Sequence, residues 1–520
     1  MAAVDEELEE FGIETAKNTS LYVGAQLASS LISFAVLIIA ARVLGPSDFG
    51  IFIIAVSFAT LLGFGGNLSF GAALRKMLPA AAGDTKRIRS LLGNAFFFGS
   101  LTGLVITLIA FALSGAIAVY VYHDALLSLP LGIASIMIVL TVLFNVGLSS
   151  LVGIGRIKQA AISDLLYSTT QLAAVSILIY LGYGIPGAVA GMVFGFFAGL
   201  AAEILYLRKA IGGITTTISR KVIGQMLDFS MPVFVSQISS MGFTNFAVLL
   251  LGVFVASSIV GNYGAALKLG VAFQVITAST SFIMLFSFSK VLQAKTRLSR
   301  HIKSIYASTV YYSFLFVLPM LAYLVSSARP FSYLFFSSAY TLTPAYFTVI
   351  AIGVTIDALE VYAGNLMLAY GRPRVYMRYQ LAAIAICLVL MLALTPYLGV
   401  AGVLFPLFVV SPVLLGVVYC ITLSRDFELT LHYRKLSALA IAALATAALA
   451  ILLHLVLNYG GHVELVVNLL LVLLVYPPLA VLFRGIEENN IGFLRKFAQR
   501  LGPVSPLLRA VLSYTAFFVR

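Results

Sequence analysis

The sequence predicts an all-α polytopic membrane protein. It should have about fourteen transmembrane helices, arranged as two pseudo-symmetric six-helix bundles plus two C-terminal helices. Three observations predict this. Of the 520 residues 61% are hydrophobic and only 10% charged, against about 25% charged in soluble domains. Long uncharged runs follow one another along the chain, more than a single soluble core needs. Landmarks in the first half return in the second at an almost constant offset.

The first 16 residues are acidic (Asp5, Glu6, Glu7, Glu9, Glu10 and Glu14). That is the opposite of a basic signal-peptide start, so the first apolar run is expected to stay as a membrane helix. Spans are expected near 19–41, 50–74, 92–117, 126–150, 160–181, 184–207, 227–255, 258–286, 304–327, 345–370, 379–396, 400–422, 436–457 and 463–483. At about 1.5 Å per residue each can cross about 30 Å of hydrocarbon, the eleventh only just. Between the first two, Gly45-Pro46 stops one helix, and Ser47 or Asp48 can cap the next.

The net charge of +13 is a topology signal. With the N-terminus on the cytoplasmic side, 29 of the 32 Lys and Arg fall in cytoplasmic connections. Arg42 and Arg329 fall outside, and Lys268 lies within a span. Losing or gaining one helix would scramble this bias. Both termini are therefore expected in the cytoplasm, and the basic charge is read as attraction to membrane lipids rather than to nucleic acid.

Gly45 and Gly261, and the turns Gly155-Arg156 and Gly371-Arg372, are each 216 residues apart; Tyr180-Leu181-Gly182 and Tyr397-Leu398-Gly399 are 217 apart. An even number of crossings separates the copies, so the repeats run parallel, a transporter plan that binds substrate between its halves. The expected organisation is an acidic N-terminus 1–17, bundles 18–210 and 211–425, two further helices within 426–484, and a cytoplasmic interfacial tail 485–520. In the tail Leu494, Phe497 and Leu501 share a helical face beside Arg495, Lys496 and Arg500.

Several of these stretches resemble the polysaccharide-biosynthesis (Wzx-type) flippases of the multidrug/oligosaccharidyl-lipid/polysaccharide exporter (MOP) superfamily. They are Asn18-Thr19-Ser20, the corner Ala41 to Gly50, Asp228-Phe229-Ser230-Met231-Pro232, Val260-Gly261-Asn262-Tyr263-Gly264 and Phe335-Phe336-Ser337-Ser338-Ala339-Tyr340. The resemblance covers roughly residues 17–425. It implies two bundles facing a central cavity in the cell membrane of a prokaryote. It also implies that a lipid-linked glycan, an oligosaccharide on a polyprenyl phosphate or pyrophosphate, is turned to the outer leaflet by alternating access.

The residue chemistry can be weighed beside that. A charge at mid-membrane costs roughly 2.5–3.5 kcal/mol on insertion scales, so each one needs a reason. Asp164, Glu203 and Asp228 lie within a turn or two of the cytoplasmic end and are expected to reach water. Lys268 can meet a substrate phosphate as a point charge. Asp357 and Glu360, at i and i+3, share a face. They form a candidate ion-coupling pair for proton or sodium, because two close carboxylates in low dielectric cannot both ionise easily. A Lys268–Asp357 salt bridge that locks the second bundle is the structural alternative. Arg42 is a second phosphate candidate or a helix-end charge paired with Asp48; Gln26 and Gln237 can bind sugar hydroxyls or glue helices together. Since Thr141 and Phe144 stand one offset before Asp357 and Glu360, ion coupling is expected in the second half only.

A cation-coupled multidrug antiporter of the same superfamily is the alternative function. A membrane glycosyltransferase or ligase fits less well, because the outer connections are short and contribute only Asp48, Asp124 and Glu464 as acids. No nucleotide loop, metal spacing or nucleophile–base arrangement stands out, so neither enzyme activity, cofactor nor metal is expected. Cys387 and Cys420 sit in apolar runs and read as small hydrophobes. The chain is expected to act as a monomer.

Overall fold

The computed structural model describes residues 2–212, 218–237, 242–271, 273–274, 302–370, 372–427, 431–498 and 505–519, with side chains mostly from Tyr22 onward. Among the described residues there are helices and no strands. Ten stretches of the described residues are long and apolar enough to cross a membrane. Two of them, Tyr22–Asn67 and Ile157–Ile211, span 46 and 55 residues, twice what one crossing needs. Each contains a glycine in the left-handed region, Gly45 at φ 74° and Gly182 at φ 87°. Only a residue without a Cβ takes that turn cheaply.

The chain divides into two compact units, Met1–Gly264 and Ala265–Arg520. The first contains α1 (Ala2–Asn67), α2 (Phe70–Met77), α3 (Thr85–Ala116), α4 (Ser128–Gly153), α5 (Ile157–Leu178), α6 (Gly184–Ile211), α7 (Arg220–Gln237) and α8 (Phe243–Phe254). Residues 257–271 form α9, and the division falls within it. The expected second span, 50–74, ends early: Leu68 and Ser69 have positive φ, and the amphipathic α2 follows with Arg75 and Lys76 in its last turn. Asp84 caps α3 by accepting from the Arg87 amide at 3.0 Å.

Packing in the first unit rests on small residues. Gly187, Gly191, Gly195 and Gly199 repeat every fourth position along α6. A Cβ on any of the last three would overlap α4 or α5, at Val175, Gln171, Tyr167 or Phe144. In lipid, where no hydrophobic force draws helices together, such stripes let backbones approach and gain dispersion contact. A core of Phe70, Leu74, Leu92, Val146, Leu207 and Met226 closes one end.

The second unit contains α10 (Ile302–Ser326), α11 (Ala328–Phe336), α12 (Thr343–Ala369), α13 (Pro373–Leu398), α14 (Val400–Phe405), α15 (Ser411–Phe427), α16 (Tyr433–Leu457), α17 (His462–Leu482), α18 (Glu488–Ala498) and α19 (Ser505–Val519). The two C-terminal spans are integral to it: α16 packs on α10 and α17, and Asn468 on α17 donates to the Ser326 carbonyl at 3.2 Å and to Ser327 Oγ at 3.0 Å. The tail contributes Ile491, Leu494 and Leu512 to the same core. Tyr311 anchors the start of the tail by donating to the Gly485 carbonyl at 2.7 Å.

Candidate functional site

The two corners singled out by sequence meet inside the first unit. The second break is not at Gly261 but at Val255, which is extended (φ −131°, ψ 158°) and ends α8. Gly261 itself is helical, and a Cβ there would overlap the Pro46 carbonyl; a Cβ on Gly50 would overlap the Ser257 carbonyl. Ser47 does not cap its own helix but shares a hydrogen bond with Ser257, Oγ to Oγ at 3.0 Å. The shared motif therefore marks a backbone-to-backbone contact as well as a turn.

Lys268 lies on α9, eleven residues after Ser257. At about 100° per residue, positions 257, 261, 264 and 268 fall on one face. Lys268 is partly buried and has no ion-pair partner among the described residues. The alternative Lys268–Asp357 bridge is thus not formed. Arg42 is exposed three residues before Gly45, and Gln26 is exposed on the same run. Gln237 closes α7, and its side chain lies outside the described residues.

Asp357 and Glu360 are brought together on α12, their carboxyl groups within hydrogen-bonding reach of each other. Glu360 is only 6% exposed. It accepts a 2.5 Å hydrogen bond from Gln380 Nε2, which also lies 3.3 Å from the Tyr376 hydroxyl. Tyr376 stacks on Tyr419 with ring centroids 5.8 Å apart, and Tyr379 stands 5.9 Å from Tyr419. A carboxylate in such an apolar setting needs this donor. Sequence reasoning missed Gln380. Its signal is Tyr376, Tyr379 and Gln380 at i, i+3 and i+4, a polar-aromatic face on α13.

The first unit holds a buried acid of its own, Glu203, which the sequence led us to expect within reach of water. Glu203 is fully buried, does not reach water, and neither of its carboxyl oxygens has a hydrogen-bond partner among the described residues. Asp164 is the charged group acting on it, and Gly147 lies against it so closely that a Cβ would overlap the carboxylate. The 216-residue offset carries Asp164 to Gln380 and Glu203 to Tyr419, both members of the Glu360 network. Where Glu360 stands in the second unit the first has Phe144, ringed by Tyr167 at 5.0 Å and Phe196 at 5.7 Å. The two units thus build polar-aromatic clusters at matching places but hang the acid on different helices. Among the described residues no group of three His, Cys, Asp or Glu can hold a metal.

Membrane-length helices enclosing ionisable side chains define a multi-pass membrane protein. The chain belongs to the polysaccharide biosynthesis protein family, whose sequence model matches residues 15–286. Its fold is similar to that of the lipid II flippase MurJ in an inward closed conformation, with TM-score 0.71 and 16% identity over 89% of this chain and 98% of that one. It is also similar to an inward-facing multidrug resistance MATE family transporter of the MOP superfamily. There the TM-score is 0.64, with 17% identity over 77% of this chain and 95% of that one. No curated protein sequence matches it. The chain is thus a member of the polysaccharide biosynthesis protein family with a fold shared by those two transporters.

Proposed function

We propose that the protein is a flippase that carries a polyprenyl-phosphate- or pyrophosphate-linked oligosaccharide from the cytoplasmic to the outer leaflet by alternating access. The observation that carries this reading is Lys268, an ammonium within an apolar helix that no described carboxylate neutralises. A cation kept in a membrane span at such cost is a functional group by default, and a phosphate is its natural partner. Membership of a polysaccharide biosynthesis family and a fold shared with a lipid II flippase support a lipid-linked glycan as the cargo. The second unit offers room for the lipid: a cavity of about 770 Å³ lined by Phe314, Leu318, Ile352, Ile356, Leu359 and Leu436.

In this reading the chain crosses the cell membrane of a prokaryote fourteen times with both termini in the cytoplasm. Its two repeats, 18–210 and 211–425, rock about a central cavity. Arg42, Gln26 and Gln237 contact phosphate or sugar, and Asp357 with Glu360 binds the driving proton or sodium ion. One observation favours the cation-coupled multidrug antiporter instead: the Asp357–Glu360 pair supplies anionic rather than cationic chemistry.

The deciding experiment is flipping of a fluorescent polyprenyl-pyrophosphate oligosaccharide in proteoliposomes. Lys268→Ala should reconstitute normally and lose at least tenfold in rate, while Lys268→Arg keeps most of it. Undiminished flipping by Lys268→Ala would remove the residue and the phosphate argument together. Ethidium efflux in its place would establish the antiporter.

A further inference from the structure

A second polar site lies within the second unit, away from Lys268 and Glu360 along the chain. Arg329 is one of two basic residues that the charge distribution assigns to outer connections. It stands on α11 at the rim of a cleft of about 470 Å³, with Tyr333, His454, Tyr459, His462 and Glu464 in the walls. Its guanidinium lies 5.6 Å from the Tyr333 ring and has no ion-pair partner among the described residues. Glu464 is only 4% exposed. His454 Nδ1 is 3.6 Å from Glu464 Oε2, too far for a hydrogen bond. Both that nitrogen and the Tyr459 hydroxyl are shut away with no hydrogen-bond partner among the described residues. Buried polar atoms in native proteins nearly always have one, so the cleft is built for a ligand that supplies it.

The charges say what kind. An arginine outside any close ion pair, though its charge also acts on Glu464, and an exposed histidine, His462, stand at the rim, and a buried carboxylate lines the wall. A simple anion would meet the carboxylate and a simple cation the arginine; a zwitterion satisfies both. The position says where such a ligand comes from. The cleft sits where α16 ends and α17 begins, around the 458–461 connection, which is the depth of lipid headgroups for helices of this length. Leu455, Val456 and Val463 beside it are exposed, as suits residues that face acyl chains.

We propose that this cleft binds the headgroup of an amine-bearing phospholipid, its phosphate on Arg329, His462 and the Tyr459 hydroxyl, and its ammonium on Glu464 and the unpartnered His454 Nδ1. The inference rests on the membrane placement alone and stands whatever cargo the central site carries. Native mass spectrometry of the delipidated full-length protein tests it. Phosphatidylethanolamine should be retained at least tenfold more tightly than phosphatidylglycerol. Arg329→Gln and Glu464→Gln should each weaken that retention at least tenfold, and Glu464→Gln should erase the preference. Equal retention of the two lipids by the wild type, or full retention by either variant, would overturn the proposal. Soluble phosphoethanolamine binding as tightly as the lipid would assign the cleft to a free aminophosphate and overturn the lipid assignment. Should Glu464→Gln fail to fold, the exposed His462→Ala decides: weaker retention of phosphatidylethanolamine supports the site, and unchanged retention refutes it.

Discussion

Ser47 and Ser257 share a hydrogen bond of 3.0 Å, Oγ to Oγ, across a contact so close that Gly50 and Gly261 have no room for a Cβ. Pro46, whose carbonyl faces Gly261, belongs to the residue pair that breaks the first helical run. One stretch of ten residues therefore sets both the bend and the surface that seats α9. If this contact forms and parts during transport, bulk at either glycine must hold it open. Gly261→Val is expected to lose at least tenfold in flipping rate with normal membrane insertion. Overpacking also costs about 1–3 kcal/mol of stability, readable as a lowered thermal midpoint. Ser47→Ala, which removes one hydrogen bond at an exposed position, should cost under about 1 kcal/mol and leave the rate nearly unchanged.

Glu203 and Gly147 provide a double-mutant cycle. Gly147→Ala drives a methyl group into the Glu203 carboxylate and should lower the unfolding free energy in detergent. Glu203→Ala alone relieves a buried carboxyl that has no hydrogen-bond partner among the described residues. Combining the two should recover much of the loss, with a coupling of about 0.5–3 kcal/mol. Additive losses would mean that the clash is relieved some other way.

Gln380→Ala takes from Glu360 its hydrogen-bond donor at 2.5 Å. Leaving that buried acceptor unsatisfied should cost about 1–3 kcal/mol, whereas Gln380→Glu should cost more by adding a third acid beside Asp357 and Glu360. Thermal unfolding of the purified variants separates the two.

If Asp357 and Glu360 bind the driving ion, Glu360→Gln should keep the fold, since the amide still fills the space beside Gln380 and Tyr376. Flipping should then lose its response to an imposed proton or sodium gradient. A variant that retains the full response would place coupling elsewhere, and Glu203 with Asp164 is the next pair to substitute.

Much of the architecture was legible in the sequence because the bilayer imposes a coarse and strict grammar. A span must be long, apolar and helical, since lipid offers no partner to an unpaired backbone group. A residue such as Gly45 or Gly182 reads as a turn because no other side chain adopts its φ cheaply. The 216-residue repeat and the adjacency of Asp357 and Glu360 are likewise properties of the chain, fixed by spacing alone.

Only tertiary structure decided which polar residues find company. Depth along a helix placed Glu203 within reach of water, yet it is sealed because α4 presents Gly147 to it. Burial depends on the neighbouring helix, which is outside any local pattern. Gln380 reaching Glu360, Gly261 seated on Pro46, and Arg329, His454 and Glu464 converging from three helices all join residues distant in sequence. Hydropathy and periodicity determine that a segment crosses the membrane and which residues share its face. What that face meets is set by packing between helices, and the chemistry of this protein lies there.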